Sequence, residues 1–398
     1  MDDQSKKFLI RDLDQLIDKH LPCDQSRIVS TEYSNFIALD DYGCMGMTLE
    51  FVLINTTTGE EWTLHTIAKK ISEKNDVKDM FNVKTTFKKE IGLYMIARNA
   101  LNKFLKSKGE DAIECISTPF GGRFNLNGFC NSVDEDAVLI LSNLKKYGFR
   151  RLDQRIGLDL ECAKIVLKAL AHLHGSALGM KLLEPEAFEQ KVMPYLSDCY
   201  SSRSFHKITR DQMIEVLKEE NFSSDIIKRA TMTFDRRSIK NIREPWATIT
   251  HNNIWVNNIR VRYNNRHEPI SIKLIDFRIS EYQSPARDLL FFLFTSVELE
   301  TLRNNLDDLI DFYYHNVIYL LHKLQLDTRY FTRWSFNEEL RIAGRQSEFF
   351  KIVSRLYAVL DNEPELTHGS QGKIVDAIHR DRLCYIVREF DKRNWLSI

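Results

Sequence analysis

Residues 250–258 form a polar segment that reads Thr250-His251-Asn252-Asn253-Ile254-Trp255-Val256-Asn257-Asn258. Further along, the chain reads Leu274-Ile275-Asp276-Phe277-Arg278, where the apolar residues predict a strand that ends at the aspartate. Carboxylate and amide oxygens are hard ligands of the kind that magnesium prefers. Both segments therefore contain residue types that can bind a metal ion.

A third segment follows, Ser284-Pro285-Ala286-Arg287-Asp288-Leu289-Leu290-Phe291-Phe292-Leu293. Proline suits the first turn of a helix, so a helix is expected to begin here. Together the three segments resemble the ecdysteroid-kinase-like family, a branch of the choline-kinase and aminoglycoside-phosphotransferase group. Members of that family typically read His-Gly-Asp-Leu-Trp, then Asn, then Ile-Asp-Phe-Gln, then Ser-Pro-x-x-Asp-Leu.

The resemblance implies an α+β, protein-kinase-like fold with two lobes. A small N-lobe, residues 1–143, would hold an antiparallel sheet and one main helix and would end at the hinge. The larger, mostly helical C-lobe, residues 144–398, would carry the catalytic-loop and metal-loop region, 246–296. In this fold Asp288 would hydrogen-bond back to the catalytic loop, and the resemblance implies that Asp276 and Asn258 are the ligands of a magnesium ion.

Hydrophobic periodicity predicts several elements of that fold. Alternation predicts strands between residues 28 and 71, with segments at 35–39, 48–55 and 61–71. Apolar residues at intervals of three and four predict helices at 8–21, 87–106 and 159–178. Turns are expected at residues 40–47, 56–60 and 121–122, which are rich in glycine or polar residues.

Two lysines end the third predicted strand. By the resemblance, Lys69 contacts the nucleotide phosphates, and Glu90 on the following helix is its partner. Lys70 is one residue away and points to the opposite face of a strand, so the phosphate contact could belong to either lysine. Without the family, two lysines at a strand end would be read as solvated surface.

Gly43 and Gly46 lie in the turn that covers the nucleotide phosphates in kinase-like folds. Glycine lets backbone amides approach an anion closely, which makes both residues candidates for cofactor binding. Two glycines in a hairpin are equally consistent with an ordinary turn.

Asn253 stands where the family has the aspartate that orients and deprotonates the acceptor hydroxyl. An amide cannot accept a proton at neutral pH, and losing a general base costs a factor of about 10² to 10⁴ in rate. His251 would brace the loop and take no part in the chemistry. His174, near the end of the helix predicted at 159–178, is read as a packed core residue.

Two functional interpretations follow from these residues. In the first, the chain is an impaired or inactive, pseudokinase-like phosphotransferase scaffold that binds ATP and magnesium. Departures from the family at Gly46, at Ser142-Asn143 in the hinge and at Asn253 favour it. In the alternative, it is an active ATP-dependent kinase of a small alcohol such as an ecdysteroid or a choline-like compound, because positioning and electrostatics carry most of phosphoryl transfer.

Composition narrows the possible partners and location. The 56 basic and 56 acidic residues give a formal net charge of +0, which does not suggest nucleic-acid binding. Seven scattered cysteines without a C-x-x-C pair fit reduced thiols, and no apolar run reaches the length of a membrane span. We therefore expect a cytoplasmic protein that binds a small molecule.

Overall fold

The structure is a computed structural model that describes residues 9–18, 21, 26–37, 44–71, 83–129, 132–196, 206–236, 242–361 and 377–397. Its residues group into two compact units. The first comprises Met1–Arg150, Glu184–Ser202 and Lys273–Ser280, and the second comprises Arg151–Leu183, Arg203–Ile272 and Glu281–Ile398. An antiparallel sheet in the first unit and mainly helices in the second give the α+β class that the sequence predicts. The lobe boundary between residues 143 and 144 stays a prediction.

Five strands form the sheet of the first unit in the order β1-β2-β3-β5-β4, and each neighbouring pair is antiparallel. Their bounds are β1 Ser26–Ile37, β2 Cys44–Asn55, β3 Glu61–Ile71, β4 Pro119–Arg123 and β5 Val138–Ser142. The strand predicted at 61–71 has those bounds, whereas β1 begins earlier than predicted. The turn predicted at 56–60 is confirmed, and Asn55 Oδ1 accepts hydrogen bonds from the backbone N–H groups of Thr57 and Thr58.

Helices supply most of the remaining structure. Their bounds are α1 Leu13–Asp18, α2 Val83–Gly92, α3 Arg98–Ser107, α4 Leu160–Leu183, α5 Pro185–Lys191, α6 His206–Glu219, α7 Ser224–Asp235, α8 Ala286–Ser296, α9 Leu299–Lys323, α10 Arg333–Ala343, α11 Phe349–Asp361 and α12 Ala377–Lys392. Four short strands belong to two further sheets, which pair β6 Thr248–Thr250 with β9 Glu281–Gln283 and β7 Ile259–Tyr263 with β8 Pro269–Leu274.

The helix predicted at 8–21 is shorter in the structure. Asp12 has φ of 53°, a left-handed conformation that cannot continue a right-handed helix, so α1 begins only at Leu13. Its apolar residues still pack as the pattern implies, because Ile10, Leu13 and Ile17 are buried against the sheet residues. One hydrophobic cluster of the first unit lies at this contact.

The helix predicted at 87–106 is interrupted by a π-helical segment, Leu93–Ala97, between α2 and α3. The turn predicted at Gly121-Gly122 is wrong, because both glycines lie within the buried strand β4. A Cβ atom on Gly122 would lie 2.8 Å from Cγ of Met95 in the π-helical segment. Here glycine allows close approach of a strand to a helix.

The second unit is built around α4, which packs along α9. Helix α8 carries the apolar run that follows Pro285, and every one of its residues except Arg287 is buried. The cysteines within the described ranges, Cys44, Cys115, Cys162 and Cys384, are all buried. Each helix in those ranges is too short or too polar to span a membrane.

Candidate functional site

Lys69 and Glu90 form a buried ion pair in the first unit. Side chains alternate along β3, so Leu64 and Ala68 face the core under α1 while Lys69 points to the other face. Its Nζ lies 2.8 Å from Oε2 of Glu90, which α2 presents. The predicted contact between the two residues is therefore present.

Lys70 lies on the other face of the strand and makes a different contact. Its Nζ donates a hydrogen bond of 3.4 Å to the backbone oxygen of Leu9. Of the two lysines that the sequence left open, Lys69 is the one that pairs with Glu90.

Burial raises the pKa of the Glu90 carboxyl, and the positive charges of Lys69 and Arg278 oppose that rise. A buried carboxylate is stable only when nearby cations or hydrogen-bond donors compensate for its lost hydration. The ion pair therefore fixes the position of the Lys69 side chain. Burying the two charged groups costs free energy of hydration.

Gly46 lies inside β2 and not in a turn as predicted. It is opposite Lys69 in the antiparallel register of β2 and β3 and opposite Ile37 of β1. The turn predicted at 40–47 is wrong for residues 44–47, because β2 begins at Cys44. Gly43 lies outside the described residues.

Asp276 follows β8 in a strained conformation. Its φ of 69° is in the left-handed region, which costs a non-glycine residue roughly 1–2 kcal/mol. The next residue, Phe277, is fully buried and meets the ring of Tyr94 edge to face at 5.6 Å between centroids. Packing of Phe277 thereby holds the strained backbone in place.

Arg278 contacts the carboxylate of Asp276 directly. Its Nε lies 2.5 Å from Oδ1, and the arginine side chain is only 5% exposed. The charges of both residues act on Lys69 and on Glu90, so the four side chains form one electrostatic cluster in the first unit.

This cluster is a poor fit for a magnesium ion. A divalent cation at Oδ1 of Asp276 would meet a guanidinium that already occupies that position. Across the part of the chain that the structure describes, no three His, Cys, Asp or Glu side chains come together as metal ligands would. Asn258, the second predicted ligand, belongs to the second unit. There its Nδ2 donates a hydrogen bond of 2.9 Å to the backbone oxygen of Asn253.

Asp288 organises the loop of the second unit that contains residues 251–258, which we call the His251 loop. Its Oδ2 accepts a hydrogen bond of 2.6 Å from the backbone N–H of His251, and its Oδ1 accepts one of 2.8 Å from that of Asn252. The hydrogen bonds expected from Asp288 to this loop are therefore present.

His174 also contacts the carboxylate of Asp288. It is fully buried, with Nε2 at 3.3 Å from Asp288 Oδ2 and Nδ1 at 2.6 Å from the hydroxyl of Tyr313. His174 is therefore a packed core residue, as the sequence predicts. Burial alone would raise the pKa of Asp288, but His174 and the N–H of His251 hold it below its ordinary value.

Asn252, at the position where the resemblance leads us to expect glycine, has unusual backbone geometry. Its φ is 63°, a conformation that asparagine tolerates better than other residues with side chains. The Asn252 side chain also makes a contact that glycine cannot, because Oδ1 accepts a 2.5 Å hydrogen bond from Nζ of Lys351 on α11.

Asn253 is engaged by a second cation of α11. Its Oδ1 accepts a hydrogen bond of 3.1 Å from Nη2 of Arg355. The guanidinium of Arg355 also lies over the ring of Trp255, 4.2 Å from the centroid. His251 Nδ1 accepts a 3.3 Å hydrogen bond from the backbone N–H of Asn253, the contact through which His251 would brace the loop.

Three residues that make these contacts were not identified as functional from the sequence: Lys351, Arg355 and Arg278. Lys351 and Arg355 are four residues apart on α11, so one helix face presents both, but nothing local connects them with the His251 loop. Arg278 was visible as a departure from the family's glutamine. Its spacing of two from Asp276 was the signal that the two side chains could meet.

Fold and site together define a class, namely a kinase-like scaffold of the small-molecule phosphotransferase type. The family described as EcKL, ecdysteroid kinase-like, matches residues 39–326, well over half of the chain. The chain belongs to the ecdysteroid kinase-like family.

Solved structures of phosphotransferases are similar to the chain at low identity. The GDP and kanamycin complex of APH(2")-IIia is 12% identical, with a TM-score of 0.36, and the match covers 96% of this chain and 98% of that one. A thermostable mutant of aminoglycoside phosphotransferase APH(4)-Ia in its apo form is 10% identical, with a TM-score of 0.33 and coverage of 90% and 95%. No curated protein matches the chain significantly.

Proposed function

We propose that the chain is a pseudokinase-like member of its family that binds a nucleotide and a small-molecule ligand but transfers phosphate poorly or not at all. The observation that carries the proposal is the contact between Asn253 and Arg355. A neutral amide stands at the position of the catalytic base, and a cation holds its oxygen.

The chemistry of this arrangement is simple. A general base must accept the proton of the acceptor hydroxyl, and an amide oxygen cannot do so at neutral pH. Asn253 can still hold a hydroxyl by a hydrogen bond, but Arg355 competes for the same oxygen. Loss of the base alone lowers the rate by a factor of about 10² to 10⁴.

Nucleotide binding is proposed from the pair of Lys69 and Glu90. Burying an ammonium and a carboxylate carries a desolvation cost that a purely structural pair does not readily repay. In kinases the same pair positions a lysine at the nucleotide phosphates. ATP is accordingly the nucleotide that we propose, with Gly43 and Gly46 near its phosphates.

The alternative, an active kinase of a small alcohol such as an ecdysteroid or a choline-like compound, is favoured by the same pair. Positioning and electrostatic stabilisation supply most of the rate in phosphoryl transfer, and Lys69, Glu90, Asn258 and Asp276 are all retained. A cytoplasmic location remains a prediction from the cysteine pattern.

The test of nucleotide binding is thermal unfolding with and without ATP in three proteins: the wild type, Lys69→Met and Lys70→Met. At 100 times the dissociation constant, ligand adds about 2.7 kcal/mol to the stability of the native state. We expect ATP to raise the melting temperature of the wild type and of Lys70→Met but not of Lys69→Met. Because Lys69→Met leaves Glu90 buried and unpaired, the ATP-induced shift is compared, and not the melting temperature itself.

A wild type that does not respond to millimolar ATP would contradict nucleotide binding. An equal response of Lys69→Met and the wild type would contradict the role of Lys69. Turnover of a small alcohol at an ordinary kinase rate of about 1–100 per second would support the active kinase instead.

A further inference from the structure

Arg278 and Asp276 are separated by one residue and form a close, shielded ion pair. The Nε to Oδ1 distance is 2.5 Å, with the two side chains 5% and 18% exposed. At such a distance and burial the guanidinium acts strongly on the Asp276 carboxylate.

Arg278 changes the net charge of the cluster formed by Lys69, Glu90, Asp276 and Arg278. Lys69 and Arg278 are positive and Glu90 and Asp276 are negative, so the cluster is neutral as it stands. With the family's glutamine at position 278, one positive and two negative charges would remain. A divalent cation at Asp276 would offset that deficit, whereas here Arg278 already offsets it.

We propose that Arg278 takes the place of the divalent cation at Asp276, and that Lys69 and Arg278 bind the phosphate groups of a nucleotide without magnesium. The inference rests on the proposed function, because it concerns the same nucleotide. It deepens that function by stating what the nucleotide needs in order to bind: the triphosphate binds equally well with and without magnesium.

Guanidinium chemistry suits this role. Arginine stays charged at every relevant pH, and its planar array of N–H groups matches the oxygens of a phosphate. Unlike a metal ion, it cannot be removed by a chelator. A divalent cation approaching Asp276 would be repelled by Arg278, so binding of the magnesium complex gains nothing at this carboxylate.

The experiment is titration calorimetry of the full-length protein with ATP, once in excess EDTA and once in millimolar magnesium chloride. For the wild type we expect dissociation constants that agree within about threefold between the two media. For Arg278→Gln we expect ATP binding in EDTA to weaken by about tenfold or more, the factor that 1.4 kcal/mol represents. Magnesium should restore it, since Asp276 then lacks its guanidinium.

Two further variants separate the role of Arg278 from a general loss of charge or of folding. Arg278→Lys keeps the positive charge, so its ATP binding should remain independent of magnesium. Arg329→Gln is a matched control, because Arg329 pairs with Asp327 at the same spacing of two residues on the exposed surface. It should bind ATP as the wild type does in both media.

Each outcome decides between the claims. ATP binding by the wild type only in magnesium would overturn the inference and leave nucleotide binding intact. No ATP binding in either medium would overturn both the inference and the proposed nucleotide site. Magnesium-independent binding that persists in Arg278→Gln would show that Arg278 is not the substitute for the cation.

Discussion

The side-chain oxygen of Asn253 accepts a hydrogen bond of 3.1 Å from Nη2 of Arg355, a residue 102 positions further along the chain. Arg355 also lies over the ring of Trp255 in the same loop. One cation of α11 thus contacts both Asn253, which we propose lies at the position of the catalytic base, and the aromatic ring two residues later.

Restoring the base should therefore restore activity only in part. In an Arg278→Gln background, we expect Asn253→Asp to raise the rate of phosphotransfer, because a carboxylate can accept a proton. Arg355 would lower the pKa of the new carboxyl and weaken it as a base. Adding Arg355→Gln should raise the rate by about threefold to tenfold more, measured as transfer of labelled phosphate from ATP to a panel of small alcohols.

The control for this series is Arg355→Gln with Asn253 unchanged, which should show no gain, because the base is still missing. A rate that is equal with and without Arg355 in the Asn253→Asp protein would contradict the restraint that we assign to this arginine.

Asp288→Asn should destabilise the protein by about 1–3 kcal/mol, the cost of leaving a buried N–H group unpaired. The two carboxylate oxygens of Asp288 accept from two different backbone N–H groups, and an amide offers only one oxygen for them. Urea denaturation measures the loss. Asp327→Asn, at an exposed ion pair, should change stability by less than about 0.5 kcal/mol.

The stability of the protein should depend on pH through the carboxylate of Asp288. The pKa of Asp288 is lower in the folded protein than in the unfolded chain, where it is about 3.9. Its stabilising contribution is therefore complete above about pH 4 and is lost as the pH falls through the folded pKa. Below about pH 4, the free energy of unfolding should fall more steeply in the wild type than in Asp288→Asn. Parallel curves would contradict the assignment.

Gly92→Ala should destabilise the first unit although alanine is the better helix former. A Cβ atom at Gly92 would lie 2.1 Å from two ring atoms of Tyr195. Overpacking of this kind costs about 1–3 kcal/mol, whereas helix propensity returns about 1 kcal/mol. A fall in the midpoint of urea unfolding checks this, and the penalty should shrink in a Tyr195→Leu background. A stabilised Gly92→Ala protein would rule out the clash.

Local patterns in the sequence predicted much of the fold. Strand β3 has the predicted bounds because its alternation and the polar turn before it both act within a few residues. The helix at 8–21 was overestimated, since nothing in its apolar spacing reveals the left-handed backbone of Asp12. The turn predicted at 121–122 failed because Gly122 serves close packing against Met95, a contact that depends on the tertiary structure.

Some contacts of the candidate site could be predicted from the sequence, and others could not. Lys69 and Glu90 were paired through the family motif, and the structure places them in contact. Lys351 and Arg355 could not be found, because their partners lie 99 and 102 residues away in the chain. The contact between Asp276 and Arg278 was within reach of sequence reasoning, since their spacing allows the side chains to meet.

The most direct test of the central claim is a phosphotransfer assay at saturating ATP, run on the wild type beside Asn253→Asp/Arg278→Gln. Both proteins would be tested with ecdysteroid, choline-like and other small alcohols, with magnesium present. We predict ATP binding without product for the wild type, and product for the double variant at a rate higher by about two decades or more. Wild-type turnover at the rate of the double variant would contradict this claim.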